Sequence, residues 1–134
     1  MIDHINAIGF AVRDVEKCAL FYRDKLGFSL DQLEQDEAYL TMGSSSGIVL
    51  ALKSVNLIAE QISQDRIRPQ QESIKTNHCV VFVTDLDTEY NDLLRKGVSF
   101  INPPKSQEGG WQTAHFEDPD GNLWEIAQRP SVRD

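Results

Sequence analysis

Residues 8–15 read IGFAVRDV and residues 79–86 read CVVFVTDL, and each stretch leads into an amphipathic run that ends at a glycine, Gly27 or Gly97. The alternation of apolar residues predicts a strand in each stretch, and the aspartate near its end is a favoured N-cap for a helix. Because the same strand and helix pattern occurs twice, the sequence indicates a duplicated module.

Three further short strands are expected to complete each copy. We predict them near residues 28–34, 37–42 and 47–53 in the first copy, and near 98–101, 111–117 and 122–128 in the second. Gly43-Ser-Ser-Ser-Gly47 is interpreted as a hairpin turn, and Asp118-Pro119-Asp120-Gly121 suits a tight turn. The predicted fold class is α+β, with two tandem β-α-β-β-β modules that form a curved mixed sheet around a concave cavity.

The two predicted helices each have one apolar stripe. The stripes comprise Val15, Cys18, Ala19, Tyr22 and Leu26 in the first helix, and Leu86, Tyr90, Leu93 and Leu94 in the second. We expect residues 1–134 to form a single domain, with a first module over 1–53 and a second over 77–130. The linker, residues 54–76, contains Pro69 and a possible short helix marked by Leu57, Ile58 and Ile62.

Composition excludes several classes of function. With 13 basic and 21 acidic residues, the formal net charge of -8 disfavours nucleic-acid binding, which needs a concentrated basic surface. The chain has neither a secretory signal pattern at its start nor an apolar run long enough to span a bilayer, so we expect a cytoplasmic protein with no membrane partner. Cys18 and Cys79 are expected to be buried free thiols.

The two copies differ where polar chemistry would lie. Aligning Val12 with Val83 places Ala7 opposite His78, and aligning residues 47–52 with 121–126 places Ala51 opposite Glu125. Strand alternation predicts that these positions all face the concave side, together with Val80, Phe82, Leu123 and Ala127. A histidine and a carboxylate in the second copy are plausible metal ligands, whereas the two alanines are not.

Three motifs resemble the vicinal oxygen chelate superfamily, which includes glyoxalase I, extradiol dioxygenases, fosfomycin resistance enzymes and bleomycin resistance proteins. They are residues 12–17 (VRDVEK), residues 21–28 (FYRDKLGF) and residues 116–126 (FEDPDGNLWEI). The resemblance implies paired β-α-β-β-β modules, a cavity for a small organic molecule and a homodimer. It also implies that metal ligands, where present, occupy positions 7, 51, 78 and 125.

His115 is the candidate for a third metal ligand, since Thr113, His115 and Glu117 share one face of a predicted strand. His78, His115 and Glu125 could hold a divalent ion such as Zn, Ni, Mn or Fe, with Glu125 as the catalytic carboxylate. Alternatively, the same three residues could anchor a polar group of a ligand directly. Phe82 would then provide an apolar wall, and the small side chains of Ala7 and Ala51 would leave room for a bulky guest.

Two functions, and the question whether the protein is an enzyme, therefore stay open at this point. The first is binding of a small organic molecule beside an incomplete metal site, as the bleomycin resistance branch suggests. The alternative is a metal-dependent lyase or dioxygenase resembling glyoxalase I. A third possibility, a non-catalytic interaction domain, would require a cavity filled by large apolar side chains.

Overall fold

A computed structural model describes residues 1–42, 47–66 and 78–131. The strands and helices run, in chain order, β1 (Ala7–Val12), α1 (Val15–Asp24), β2 (Ser29–Leu33), β3 (Glu37–Thr41), β4 (Val49–Ser54), α2 (Val55–Gln61), β5 (His78–Phe82), α3 (Leu86–Arg95), β6 (Ser99–Ser106), β7 (Gln112–Glu117) and β8 (Leu123–Gln128). The order β-α-β-β-β occurs twice, which confirms the predicted α+β class with tandem modules.

Two compact units divide the chain, residues 1–74 and residues 75–134. Each contains a four-stranded mixed sheet, in the order β1-β4-β3-β2 in the first unit and β5-β8-β7-β6 in the second. In both sheets the first strand pairs parallel with the last, and the other neighbours are antiparallel. The paired positions of β1, β3 and β4 therefore have equivalents in β5, β7 and β8.

Both helices begin at the predicted aspartates. The Asp14 carboxylate accepts a hydrogen bond from the backbone N–H of Lys17 at 3.0 Å, and that of Asp85 accepts one from Thr88 at 3.3 Å. A carboxylate at this position satisfies an N–H group that has no partner within the helix and interacts favourably with the helix dipole. The caps thus fix where each helix starts after its strand.

The apolar stripes of the helices cover one face of each sheet. In the first unit Val15, Cys18, Ala19 and Tyr22 are buried against the sheet, as predicted. In the second unit the prediction for Leu94 is wrong, since 43% of its side chain is exposed while Leu93 is buried. Consecutive helical residues point about 100° apart, so a stripe centred on Leu93 leaves Leu94 at its solvent-facing margin.

The helix expected within residues 54–76 is α2, which begins after Ser54, whereas residues 43–46 of the predicted GSSSG turn and Pro69 lie outside the described residues. Both cysteines are free, with Cys18 buried and Cys79 half-buried, and burial raises the pKa of the Cys79 thiol. In the described part of the chain no helix is long and apolar enough to cross a membrane.

Strand β6 is longer than predicted, since it continues past residue 101 through Pro103 and Pro104 to Ser106. Proline lacks the N–H group that a central strand would need. Because β6 lies at the outer edge of its sheet, one side of the strand has no neighbour to receive an N–H group. The strand predicted near residues 98–101 therefore continues through both prolines in the structure.

Each sheet carries a β-bulge at the equivalent point of its edge strand. In β2 the pairing passes from Leu30 to Gln32, and in β6 it passes from Phe100 to Asn102. The skipped residue shifts the alternation of side chains across the sheet. As a result Asn102, and not Ile101, pairs with His115.

Candidate functional site

The three candidate ligands of the second unit occupy neighbouring strands. Glu125 lies on β8, with His115 directly opposite on β7. On the other side of β8, His78 begins β5 and pairs with the position of Leu123. Because Glu125 and Leu123 share one face of β8, strand alternation directs all three side chains to the face opposite α3.

The three side chains converge on one point. The distance between His115 Nε2 and Glu125 Oε1 is 2.8 Å, and that between His78 Nε2 and Glu125 Oε1 is 3.7 Å. One nitrogen or oxygen donor from each of the three lies within 4.8 Å of the others. The side chains are 39% (His78), 27% (His115) and 19% (Glu125) exposed, so the group is partly shielded and still open to a small molecule.

Asn102 fixes the orientation of His115. The Asn102 Oδ1 atom accepts a hydrogen bond from the backbone N–H of His115 at 3.1 Å and lies 3.1 Å from its ring Nδ1. A backbone N–H can only donate, so the amide oxygen must face it, and Nδ1 must then carry a hydrogen. Nε2 is therefore the ring atom that is left to meet Glu125.

This tautomer has an electrostatic consequence at the 2.8 Å contact. A neutral His115 with its hydrogen on Nδ1 presents the Nε2 lone pair to the carboxylate oxygen of Glu125. Two lone pairs at that distance repel each other unless a proton or a metal cation lies between them. The contact is therefore chemically compatible with a proton or a metal cation between the two atoms.

The donor set also fits a divalent ion. Two imidazole nitrogens and a carboxylate oxygen suit Zn, Ni, Mn or Fe(II), and the other ring nitrogen of a ligating histidine is commonly hydrogen-bonded, as His115 Nδ1 is to Asn102. Ligand atoms that bind one ion at about 2.1 Å lie roughly 3.0 to 3.4 Å apart. The separations of the two histidine nitrogens from Glu125 Oε1, 2.8 and 3.7 Å, lie on either side of that range, and all three donors lie within 4.8 Å of one another.

A turn between β7 and β8 sets the register of the site. The Asp118 Oδ1 atom accepts hydrogen bonds from the backbone N–H groups of Asp120 at 2.9 Å and Asn122 at 2.8 Å. Gly121 has a φ of 86°, a value that glycine adopts without strain. The predicted turn thus aligns the two strands so that His115 faces Glu125.

The equivalent positions of the first unit hold Ala7, Tyr39 and Ala51. Tyr39 lies directly opposite Ala51 on β3, as His115 lies opposite Glu125. The Tyr39 hydroxyl donates to Glu37 Oε2 at 2.9 Å, and this hydrogen bond raises the pKa of Tyr39. The sequence alignment paired Ala7 with His78 and Ala51 with Glu125, but it did not pair Tyr39 with His115. The number of residues between equivalent positions is different for β3 and β7 than for the other two strand pairs.

Phe82, predicted as a ligand-binding residue, lies at the far end of β5 from His78, with 55% of its side chain exposed. Its ring centroid is 5.3 Å from that of Trp111 and 4.8 Å from the guanidinium carbon of Arg129. Asn102 and Arg129 are the two neighbours that sequence reasoning missed. The first is hidden by the bulge in β6, and the second follows directly after the end of β8.

Comparison with known proteins assigns the family. A family model described as the Glyoxalase/Bleomycin resistance protein/Dioxygenase superfamily matches residues 2–126, and the chain belongs to that superfamily. It is 32% identical over 120 residues to the uncharacterized protein YraH of Bacillus subtilis, which covers 89% of this chain and 93% of that protein.

Two further similarities agree with the family. The chain is 29% identical over 127 residues to metallothiol transferase FosB of Shouchella clausii, which covers 94% of this chain and 80% of that protein. A solved glyoxalase/bleomycin resistance protein/dioxygenase from Nocardioides superposes with a TM-score of 0.81 at 23% identity, covering 100% of this chain and 88% of that one. The latter likeness concerns the fold alone.

Proposed function

We propose that this protein is a divalent-metal-dependent enzyme that acts on a small organic molecule through a site made of His78, His115 and Glu125. The convergence of their three donor atoms within 4.8 Å carries the proposal. Three protein ligands with an open side are the usual arrangement of a catalytic metal site, since the remaining positions then accept substrate or water. The metallothiol transferase named among the relatives supports a metal in this fold.

A divalent ion held there would polarise an oxygen of the substrate and stabilise negative charge on it. Glu125 has a second carboxylate oxygen beyond the one that contacts both histidines, and it would accept a proton from the substrate or return one. Asn102 would keep His115 in the tautomer whose Nε2 lone pair points into the site. These roles suit a lyase or a dioxygenase.

Metal analysis tests the proposal. Protein purified without chelators should contain about one tightly bound divalent ion per chain by inductively coupled plasma mass spectrometry, and the His115→Ala variant should not. Glu89→Gln, which removes a charge from α3 on the opposite side of the sheet, is the matched control and should keep the ion. Native protein that binds no divalent ion after incubation with Zn, Ni, Mn and Fe would overturn it.

A metal-free binding protein is the second candidate, and one contact favours it. The 2.8 Å approach of His115 to Glu125 becomes a charge-assisted hydrogen bond when a proton occupies Nε2, and no metal is then required. Of the two small residues that were predicted to leave room for a guest, Ala7 is exposed and Ala51 is only 5% exposed. Native protein without a bound ion, together with saturable binding of an organic ligand that His78→Ala weakens, would favour this function.

We further propose that the protein acts as a cytoplasmic homodimer and that residues 1–134 form one domain, as its sequence and superfamily suggest. Sedimentation equilibrium at micromolar concentration tests the assembly. A mass of about twice the 15.2 kDa of the chain supports a dimer, and a mass equal to that of the chain contradicts it.

A further inference from the structure

The open face of the second sheet continues beyond the three candidate ligands to a cluster of Phe82, Trp111 and Arg129, here called the arginine cradle. Trp111 comes directly before Gln112 at the start of β7, and Arg129 comes directly after Gln128 at the end of β8. Gln112 and Gln128 are paired across the two strands. The Phe82 ring touches both, with Trp111 at 5.3 Å and the Arg129 guanidinium at 4.8 Å. The ends of three strands thus bring the Arg129 guanidinium onto the ring of Phe82.

Arg129 is available to a ligand. Its guanidinium lies over an exposed aromatic ring, and it forms no ion pair or side-chain hydrogen bond with any residue in the described ranges 1–42, 47–66 and 78–131. A groove of about 440 Å³ lies beside it, and no acidic side chain lines that groove. In a chain whose net charge is -8, an unpaired arginine beside a neutral groove is a local site for an anion.

The strand positions between the candidate ligands and the arginine cradle are buried beneath their neighbours. Thr113 and Ala127 pair across β7 and β8 between the two sites, and they are 6% and 2% exposed. Arg129 lies four positions after Glu125, which corresponds to about 13 Å along an extended strand. A ligand that reaches both sites must therefore be about 10 Å long and pass over the side chains that cover Thr113 and Ala127.

We propose that the arginine cradle binds the anionic end of the substrate, so that the protein acts on organic oxyacids with metal-chelating oxygens at one end and a carboxylate or phosphate-like group at the other. The part that concerns the chelating end rests on the proposed metal site. The guanidinium provides paired N–H donors for the oxyanion, and the rings of Phe82 and Trp111 pack against the apolar body of the ligand.

Two probes of equal length test the proposal on metal-loaded protein. Suberic acid monohydroxamate carries a chelating hydroxamate and a carboxylate, whereas octanohydroxamate carries only the hydroxamate. Isothermal titration calorimetry should show about tenfold tighter binding of the first probe, in keeping with one charge-assisted contact. Arg129→Gln should abolish this preference without changing metal content, and Arg95→Gln on α3 should keep it. Equal affinity of the two probes for the native protein would overturn the proposal.

A metal-free arm separates failure of the arginine cradle from failure of the metal site. In chelator-treated protein, 3-phenylpropionate should shift the indole N–H resonance of Trp111 in NMR spectra, and 3-phenylpropanol should do so only at much higher concentration. Trp111→Phe identifies the resonance, and Arg129→Gln should remove the difference. Indistinguishable titrations by the acid and the alcohol would contradict the arginine cradle, whatever the metal analysis shows.

Discussion

Where the second unit carries His78, His115 and Glu125, the first carries Ala7, Tyr39 and Ala51. The strand order, the pairing directions and the bulge in the edge strand are the same in both sheets. The backbone therefore provides equivalent positions twice, and only the side chains distinguish the His-His-Glu group of the second unit from the Ala-Tyr-Ala set of the first. The strand pairing of the two units is the same, whereas the side chains that could bind a ligand differ.

The comparison predicts its largest effect at Glu125. Replacing Glu125 by Gln leaves the volume unchanged but removes the charge that both histidines approach, so affinity for Zn²⁺ should fall by more than about 100-fold. Competition with a chelating dye measures the change. Glu37→Gln, which removes a carboxylate from the first sheet, is the control. Similar losses in both variants would mean that the two units do not differ as described.

A transplant tests whether the backbone of the first unit is competent. Ala7→His, Tyr39→His and Ala51→Glu together place the same donors at the equivalent positions, and metal analysis should find a second ion per chain. We expect this ion to bind about tenfold more weakly than the first. The reason is that Gln32, which pairs with Tyr39 as Asn102 pairs with His115, donates its side-chain amide to Glu34 at 2.9 Å instead of to the residue opposite.

The control for the transplant replaces Ala51 by Gln instead of Glu, with both histidines present, and it should bind no second ion. Circular dichroism checks that each variant is folded. A folded transplant without a second ion would show that equivalent strand pairing is not sufficient to form the site.

Asn102 should have a smaller effect because it acts through His115. Asn102→Ala removes the acceptor that fixes the tautomer, and metal affinity should fall about tenfold. Asn102→Asp, which keeps an acceptor oxygen, should restore most of the affinity. Gln32→Ala at the equivalent position should leave the affinity unchanged. If Asn102→Ala also leaves it unchanged, the tautomer of His115 is fixed by other means.

The helix caps should behave alike in the two units. Asp14→Ala and Asp85→Ala each remove a carboxylate that accepts one backbone N–H, so each should lower the free energy of unfolding by about 1 kcal/mol. Urea denaturation of both variants measures this. A difference between them of more than about 1 kcal/mol would mean that the two strand and helix pairs are not energetically equivalent.

The smallest effect concerns Tyr39 at alkaline pH. Its hydrogen bond to Glu37 raises its pKa, so the folded protein retains the phenolic proton more strongly than the unfolded chain does. This contribution to stability is present below the ordinary tyrosine pKa of about 10 and is lost as the pH rises through the higher pKa of the folded state. Urea unfolding between pH 8 and 11 should lose stability less steeply in Tyr39→Phe than in the native protein.

Much of the equivalence between the two units could be predicted from the sequence, because the same strand and helix pattern occurs in both halves. Alternation within residues 79–83 was enough to place His78 and Phe82 on one face, and the turn at residues 118–121 was enough to bring β7 against β8. Trp124, which alternation places on the face opposite Glu125, lies in the core and stacks on Phe116. These features depend on local periodicity, which a sequence displays directly.

The position of Asn102 could not be predicted, because it depends on a β-bulge that the periodicity of the sequence does not reveal. The bulge at Ile101 reverses the alternation of β6, so that Asn102 meets His115 although a regular strand would direct it to the helix side. The predicted strand stopped near residue 101, so Asn102 and the residues after it lay outside the prediction. Leu94 was misassigned for a similar reason, since a stripe of adjacent leucines does not show which one lies at its centre.

Pro103 and Pro104 also bear on the behaviour of the protein at high concentration. An exposed edge strand is a template onto which a strand of another molecule can add, and such growth leads to aggregation. Two consecutive prolines interrupt the row of N–H donors along β6, so that an incoming strand could not pair continuously. The edge of this sheet is therefore protected against fibril-like association, and two copies of the protein that meet through β6 should not form a continuous sheet.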